Sequence, residues 1–199
     1  MERHTSNMQQ QTDEDLIAEV LTGNTTVYSE LVKRHQRFVF TLAIRFVKNR
    51  EDAEEIAQDC FIKAYRGLGT YKQTSRFSTW LYTITYTTAM SFLRKNRMQT
   101  QSIDDEENAL QLENHVSEFN TNLVEQKSGH VFLNMAIDML SAEDAVIITL
   151  FYKGEQSLEE IGTALGMTSN TVKVKLHRAR IKLKEKLQLL LKDEVKELI

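Results

Sequence analysis

Ser157-Leu-Glu-Glu-Ile-Gly-Thr-Ala-Leu-Gly-Met-Thr-Ser-Asn-Thr-Val-Lys-Val-Lys-Leu-His-Arg-Ala-Arg180 is the stretch from which the architecture of this chain can be read. Ser157 and Glu160 stand at the spacing of a capping box, in which a hydroxyl and a carboxylate reciprocally satisfy backbone N–H groups at a helix start. Ile161 and Leu165 give the short helix that follows one apolar side. Gly166 can adopt the left-handed conformation that stops it. Thr168 or Ser169 then caps a longer helix, in which Val172, Leu176, Ala179 and Leu183 recur at helical spacing and face inward. At about 100° per residue, Asn170, Val174, His177 and Arg178 fall on the opposite side, with Lys173 and Lys175 on the flanks. Two helices joined by a tight glycine turn, the second polar and basic outside, predict a helix-turn-helix.

The charge pattern agrees. Lys173, Lys175, Arg178, Arg180, Lys182, Lys184 and Lys186 are opposed locally only by Glu185. Most lysine-rich helices are merely solvated. Here the capping box, the glycine turn and the basic helix occur together, and that combination favours DNA binding.

Working outward, the 199-residue chain has no proline and only seven glycines, which favours a mostly helical, all-α protein. Its 41% hydrophobic content suffices for one or two compact domains. The net charge of −3 hides a polarised distribution, since acidic segments elsewhere offset the basic C-terminal face. Cys60 is the sole cysteine, so an intramolecular disulfide or a cysteine zinc cluster is excluded. It follows Ile56 and Ala57 on the inward side of a helix and reads as a small core residue. His4, His35, His115, His130 and His177 lack ligand spacing, so neither a metal nor another cofactor is expected. No apolar run is long enough to span a membrane, and Met1-Glu-Arg-His-Thr-Ser6 lacks the apolar core of a signal peptide. A cytoplasmic protein is expected.

Residues 1–11 are polar and read as a disordered tail. Thr12 with Asp15 can cap a short helix carrying Leu16, Ile17, Val20 and Leu21. A longer helix follows the turn at Thr22–Thr25, with Val27, Leu31, Phe38, Leu42 and Phe46 among its apolar positions. Asn49 caps a third helix, from about Arg50 to Arg66, with Ala53, Ile56, Ala57, Cys60, Phe61 and Ala64 inward. Its outward side carries Asp52, Glu55, Gln58, Asp59 and Ile62, either a solvated acidic face or a partner site. The segment Thr70–Arg97 then joins a polar loop to a helix starting near Ser75 to Ser78, rich in aromatics and basic at its end. Rings interleaved with hydroxyls and cations suit single-stranded nucleic acid, because bases stack on rings while cations hold phosphates. The same spacing also lets Phe77, Trp80, Leu81, Ile84 and Phe92 fill a helical core. Residues 98–130 lose clear periodicity and contain the acidic run Asp104-Asp-Glu-Glu107, the composition of a linker. A second helical unit spans 131–192, with Ser141 and Asp144 as another capping box ahead of Ala145, Ile148, Leu150 and Phe151. Residues 193–199 are left as a C-terminal tail.

Taken together, the two ordered segments resemble the extracytoplasmic-function sigma factors of bacterial RNA polymerase, in the sigma-70 family. Asp52-Ala-Glu-Glu-Ile-Ala-Gln-Asp-Cys-Phe-Ile-Lys-Ala-Tyr-Arg-Gly-Leu68 resembles their polymerase-clamp-binding stretch in region 2. Phe77-Ser-Thr-Trp-Leu-Tyr82 and the helix after it resemble the melting and minus-ten segment. Ser157 to Arg180 resembles region 4. Three such motifs in the right order, separated by an acidic linker, are far more specific than a helix-turn-helix alone.

The resemblance implies region 2 at 12–97 and region 4 at 131–192. It implies a non-enzymatic protein that binds core RNA polymerase, recognises the minus-35 and minus-10 elements of promoter DNA and promotes melting. Asp52, Glu55, Gln58, Asp59, Phe61 and Ile62 would dock on the clamp helices. Tyr71, Lys72, Arg76, Trp80, Tyr82, Thr83, Thr87 and Arg94 would contact the minus-10 element. Thr83 and Thr87 depart from a family pattern that often has Arg and Asn there, so either the minus-10 preference differs or Lys72, Arg76 and Arg94 take over. Ser169, Asn170, Thr171, Lys173, Val174, Lys175, His177 and Arg178 would read the minus-35 element. The acidic linker would thread toward the polymerase cleft and RNA exit path. Family members are often restrained by an anti-sigma factor; a monomer with no small-molecule substrate is expected when free.

Two other readings are less favoured by the residues. A response regulator with a helix-turn-helix output domain needs an alternating α/β receiver, whereas the first half here shows only helical periodicity. A helical adaptor that binds no DNA would have no reason to carry a basic recognition helix. An enzyme has least support, for the chain has no glycine-rich phosphate loop, metal cluster or nucleophile with a partnered base.

Overall fold

A computed structural model describes residues 11–101 and 128–197, and among them every regular element is helical. The expected tail at 1–10 and the body of the expected linker, 102–127, lie outside the described residues. Helix α1 (Asp13–Leu21) opens on a reciprocal capping box between Thr12 and Asp15 and buries Leu16, Ile17 and Val20. Helix α2 (Tyr28–Val47) ends where Lys48 turns left-handed at φ 54°. The Asn49 side chain then accepts the Asp52 N–H and starts α3 (Arg50–Gly67), which buries Ala53, Ile56, Cys60, Phe61 and Ala64. The long α4 (Phe77–Gln101) lies against both α2 and α3 and completes the N-terminal unit. It continues four residues past the expected boundary at Arg97.

The C-terminal unit comprises α5 (Ser128–Asp138), α6 (Ala142–Tyr152), α7 (Leu158–Leu165) and α8 (Ser169–Glu197). Helix α5 begins within the span expected to be linker, and α8 continues through residues 193–197, the segment expected as a separate tail.

Helix α6 differs from its neighbours because its middle two turns have no solvated side. Seven consecutive residues, Asp144 to Leu150, are all buried. A helix apolar all round must be covered all round, and α6 is: it packs against α8 and α7 of its own unit and against α2 of the other. One continuous hydrophobic core therefore runs from Leu16 and Leu31, through Phe77 and Leu81, to Ile147, Ile161 and Leu176. The two helical units are packed directly on one another.

Candidate nucleic-acid interface and its neighbouring surfaces

The helix-turn-helix is built by local rules. The Ser157 hydroxyl accepts the Glu160 N–H at 3.1 Å while the Glu160 carboxylate accepts the Ser157 N–H at 2.8 Å, which starts α7. Gly166 stops it at φ 66°, a conformation that costs a residue with a Cβ about 1 kcal/mol or more. The Met167 N–H returns to the Gly162 carbonyl at 2.8 Å. A Cβ on Gly162 would sit 2.6 Å from the Met167 carbonyl oxygen, so this glycine is required by space and not by its backbone angles. The sequence reading did not single it out, because steric need for glycine leaves no local signature. The Thr168 hydroxyl accepts the Thr171 N–H at 3.2 Å and opens α8.

On α8, Val172, Leu176 and Ala179 are buried and Leu183 packs against the core. Asn170, Thr171, Lys173, Val174, His177 and Arg178 are exposed together, while Ser169 and Lys175 are half-buried. The basic stripe is less available than its count suggests. Lys175 donates to Glu143 at 2.6 Å, and Lys182 donates to the buried Asp144 at 2.6 Å. The Arg180 guanidinium lies over the rings of Phe151 and Tyr152, at 5.1 and 5.4 Å. These three cations hold α8 to α6; Lys173 and Arg178 are exposed cations of the N-terminal half of the outer face. That geometry suits a helix presenting its N-terminal half to a major groove, with cations for phosphates and guanine edges.

The outer side of α3 presents Glu55, Gln58, Asp59 and Ile62, with Asp52 half-buried at the helix start. Ile62 is 48% exposed, whereas Phe61, expected on the same docking surface, is only 9% exposed and packs in the core. Tyr65, three residues on from Ile62 and therefore on the same face, is also exposed, as is Leu21 at the end of α1.

The aromatic segment is largely interior. Trp80 is half-buried, packed against Tyr71 at 5.4 Å and Phe77 at 5.7 Å between ring centres. Tyr82 is buried against Phe38, and that burial raises its phenol above the usual range. Thr83 donates its hydroxyl to the Thr79 carbonyl, and Thr87 donates to Thr83 and Ile84, each at 3.0 Å. Both hydroxyls are thus engaged by their own helix. Lys72, Thr87 and Arg94 are exposed, and Thr83 is half-buried.

Arg76 is engaged elsewhere. Its guanidinium donates to both Glu160 oxygens at 2.7 Å and to the Glu155 carbonyl at 2.9 Å, all in the C-terminal unit. The Arg76 hydrogen bonds, helped by those from Ser157 and Thr79, hold the Glu160 carboxyl down at about 2. Beside this pair, the buried Thr79 hydroxyl donates to the buried Gln156 carbonyl oxygen at 2.6 Å. Arg45, buried in α2, pairs with Asp138 at the end of α5. None of these cross-unit contacts is visible in local sequence pattern.

Among the described residues no helix is long and apolar enough to cross a membrane. Nor do these residues bring together three or more His, Cys, Asp or Glu side chains able to hold a metal ion.

Comparison with known proteins finds two family regions in this chain. Residues 31–98 match Sigma-70 region 2 and residues 133–183 match Sigma-70 region 4. The ECF RNA polymerase sigma-E factor of Escherichia coli strain K12 is 31% identical over 191 residues, covering 92% of this chain and 98% of that one. The RNA polymerase sigma-H factor of Pseudomonas aeruginosa is 29% identical over 189 residues, with the same coverage. Among solved structures, the sigma factor RpoE in complex with the anti-sigma factor NepR from Bartonella quintana is similar in fold, with a TM-score of 0.61. It is 24% identical, over 81% of this chain and 96% of that one. CnrH in complex with the cytosolic domain of CnrY gives a TM-score of 0.59 at 20% identity, over 87% and 96% of the two chains.

Proposed function

This chain belongs to the extracytoplasmic-function sigma factors of the sigma-70 family, and from that membership we propose how its surfaces divide the work of starting transcription. As a sigma factor it binds core RNA polymerase and promoter DNA. The outer face of α3, with Asp52, Glu55, Gln58, Asp59 and Ile62, supplies the polymerase contact, and Phe61 supports it from the core. The exposed half of α8 reads the minus-35 element through Lys173, Val174, His177 and Arg178, with Ser169, Asn170 and Thr171 at the helix start. Val174 can meet a thymine methyl, Arg178 a guanine edge, and Lys173 a phosphate. The segment from Tyr71 to Arg94 takes the opened minus-10 strand: exposed Lys72 and Arg94 hold phosphates, and Trp80 offers a partly exposed ring.

The work done is binding and positioning, with no bond made or broken by the chain's own residues. Two structures of similar fold were solved with an anti-sigma factor and with the cytosolic domain of CnrY, and we extend to this chain the expectation of an anti-sigma partner.

The observation that carries the reading is the presence of both sigma regions, in order, on one chain. A helix-turn-helix regulator of another kind would have no use for the first. In vitro transcription with purified core polymerase on a genomic promoter library is the test. Specific initiation that depends on added protein is expected. Failure to associate with core polymerase lacking its own sigma subunit would overturn the assignment.

A further inference from the structure

Arg37 and Arg45 of α2, with Lys153 just past the end of α6, form a group of cations outside both the proposed DNA surfaces and the proposed polymerase surface. Arg37, Thr41 and Arg45 follow one another at four-residue intervals and so share one side of α2. Arg45 is 7% exposed and pairs through one guanidinium nitrogen with Asp138 at the end of α5. Its Nε is buried and has no hydrogen-bond partner among the described residues. Lys153 donates to the side-chain oxygen of Asn134, one turn before Asp138, at 3.0 Å. The ends of α5 and α6 thus meet this side of α2.

The charges here do not cancel. Among the described residues, Asp138 is the one carboxylate that pairs with any of the three cations, which leaves two positive charges unmatched. The crowding is felt at Lys153: burial, then the guanidiniums of Arg45 and Arg37, push its ammonium below the ordinary lysine range, and Asp138 offsets them only in part. Arg45 and Lys153 stand at the C-terminal ends of α2 and α6, where a cation is favourable in its own right. Arg37, two turns further back, has no such reason to be there. Its guanidinium is exposed, and no described residue pairs with it. Mutually repelling cations drawn from separate segments, one of them with a buried donor unsatisfied, fit an anion that completes them.

We propose that Arg37, Arg45, Lys153 and Asn134 form a binding site for a small phosphate-bearing anion, such as pyrophosphate or the polyphosphate tail of a nucleotide. A guanidinium fork matches two phosphate oxygens at once, and a lysine adds a point charge that needs no fixed direction. The Asn134 amide nitrogen can donate to the anion while its oxygen holds Lys153. Exposed Arg37 and Lys153 make the first contact, and buried Arg45 adds its field and the donors that Asp138 leaves free. A phosphate group carries enough negative charge to match the surplus, whereas chloride or a single carboxylate would cancel only part of it. The site goes beyond the sigma reading and does not depend on it.

Isothermal titration of the full chain with pyrophosphate, in a low-salt buffer free of phosphate, is the test. Saturable binding is expected, with a rise in thermal midpoint as pyrophosphate is added. Arg37→Gln and Lys153→Gln, both at exposed positions, should each weaken binding by about tenfold. Asp138→Asn removes the competing carboxylate and should tighten it, an opposite sign that general loss of structure cannot produce. Lys63→Gln removes an equal charge from α3, where that lysine is bonded to Thr88, and should leave binding unchanged. Titration with ATP identifies the source of the phosphate. Equal affinity for ATP and pyrophosphate assigns the site to phosphate alone, and tighter binding of ATP adds a nucleoside contact; both support the site.

Absence of saturable pyrophosphate binding would overturn the proposal. So would binding that falls as far in Lys63→Gln as in Arg37→Gln and Lys153→Gln, since net charge alone would then account for it. Neither result would touch the sigma assignment, which fails only if core polymerase is not bound at all.

Discussion

Arg76 and Glu160, 84 positions apart in the chain, face each other through two hydrogen bonds of 2.7 Å across the join between the two helical units. The same carboxylate also caps the helix on which it stands. One acidic side chain therefore serves two purposes, a local one legible from Ser157 and a distant one that is not.

That double role predicts a pH dependence. The Glu160 carboxyl is lowered from 4.5 to about 2 in the folded chain, first by Arg76 and then by Ser157 and Thr79. Because its folded value is depressed, its stabilising contribution is fully present above about pH 4.5 and is lost as pH falls toward 2. Denaturant midpoints measured across this window should fall less steeply for Glu160→Gln than for the unmodified chain. At neutral pH the substitution should cost no more than about 1 kcal/mol, since Arg76 is half exposed. Parallel titration curves for the two proteins would remove Glu160 as a contributor.

Two glycines of the helix-turn-helix should respond to alanine for different reasons. Gly166→Ala meets no neighbour but must hold φ 66°, at a cost of about 1–2 kcal/mol. Gly162→Ala has ordinary backbone angles but brings a methyl within 2.6 Å of a carbonyl that cannot move without opening the turn. A cost of about 1–3 kcal/mol is expected, with loss of minus-35 binding. Thermal melts of the two variants, beside a gel shift on promoter duplex, distinguish them: Gly166→Ala keeps more of its DNA affinity at a temperature where both are folded.

Phe61 and Ile62 are adjacent in sequence and opposite in environment. Phe61→Ala should destabilise the fold by about 3–5 kcal/mol, because its side chain lies in the core. Ile62→Ala should leave stability within about 0.5 kcal/mol and instead weaken association with core polymerase. Unchanged polymerase affinity in Ile62→Ala would remove this face of α3 from the contact.

On α8, Arg178→Ala should cost about 1–3 kcal/mol of promoter affinity, with relaxed preference at one base position, if it makes a bidentate base contact. A uniform loss over all sequences would assign it to phosphate. Lys175→Ala should reduce the salt slope of binding by less than the roughly 0.9 expected for a full phosphate contact, because Glu143 already pairs with it at 2.6 Å. Binding measured at several salt concentrations checks both.

The hydroxyls of Thr83 and Thr87 are donated to helix carbonyls, so valine, which keeps the shape, should change minus-10 preference little. A large shift in base preference for Thr83→Val or Thr87→Val, scored by transcription from a randomised minus-10 library, would show instead that these hydroxyls leave their helix for DNA.

Much of this molecule is determined locally. Capping boxes at Thr12 and Ser157, the Asn49 cap, the glycine stop at 166 and the inward rows of α3 and α8 depend on residues within four or five positions of one another. Hydrogen-bond geometry and helical periodicity act over that range, so these features can be read from the chain in order. What faces what across the fold cannot be read so. The seven-residue burial of α6, Lys175 drawn to Glu143, Arg180 laid over Phe151 and Tyr152, and Arg76 held by Glu160 all arise when distant segments compete for the same surface. Packing and desolvation settle that competition, and their outcome depends on every element present at once.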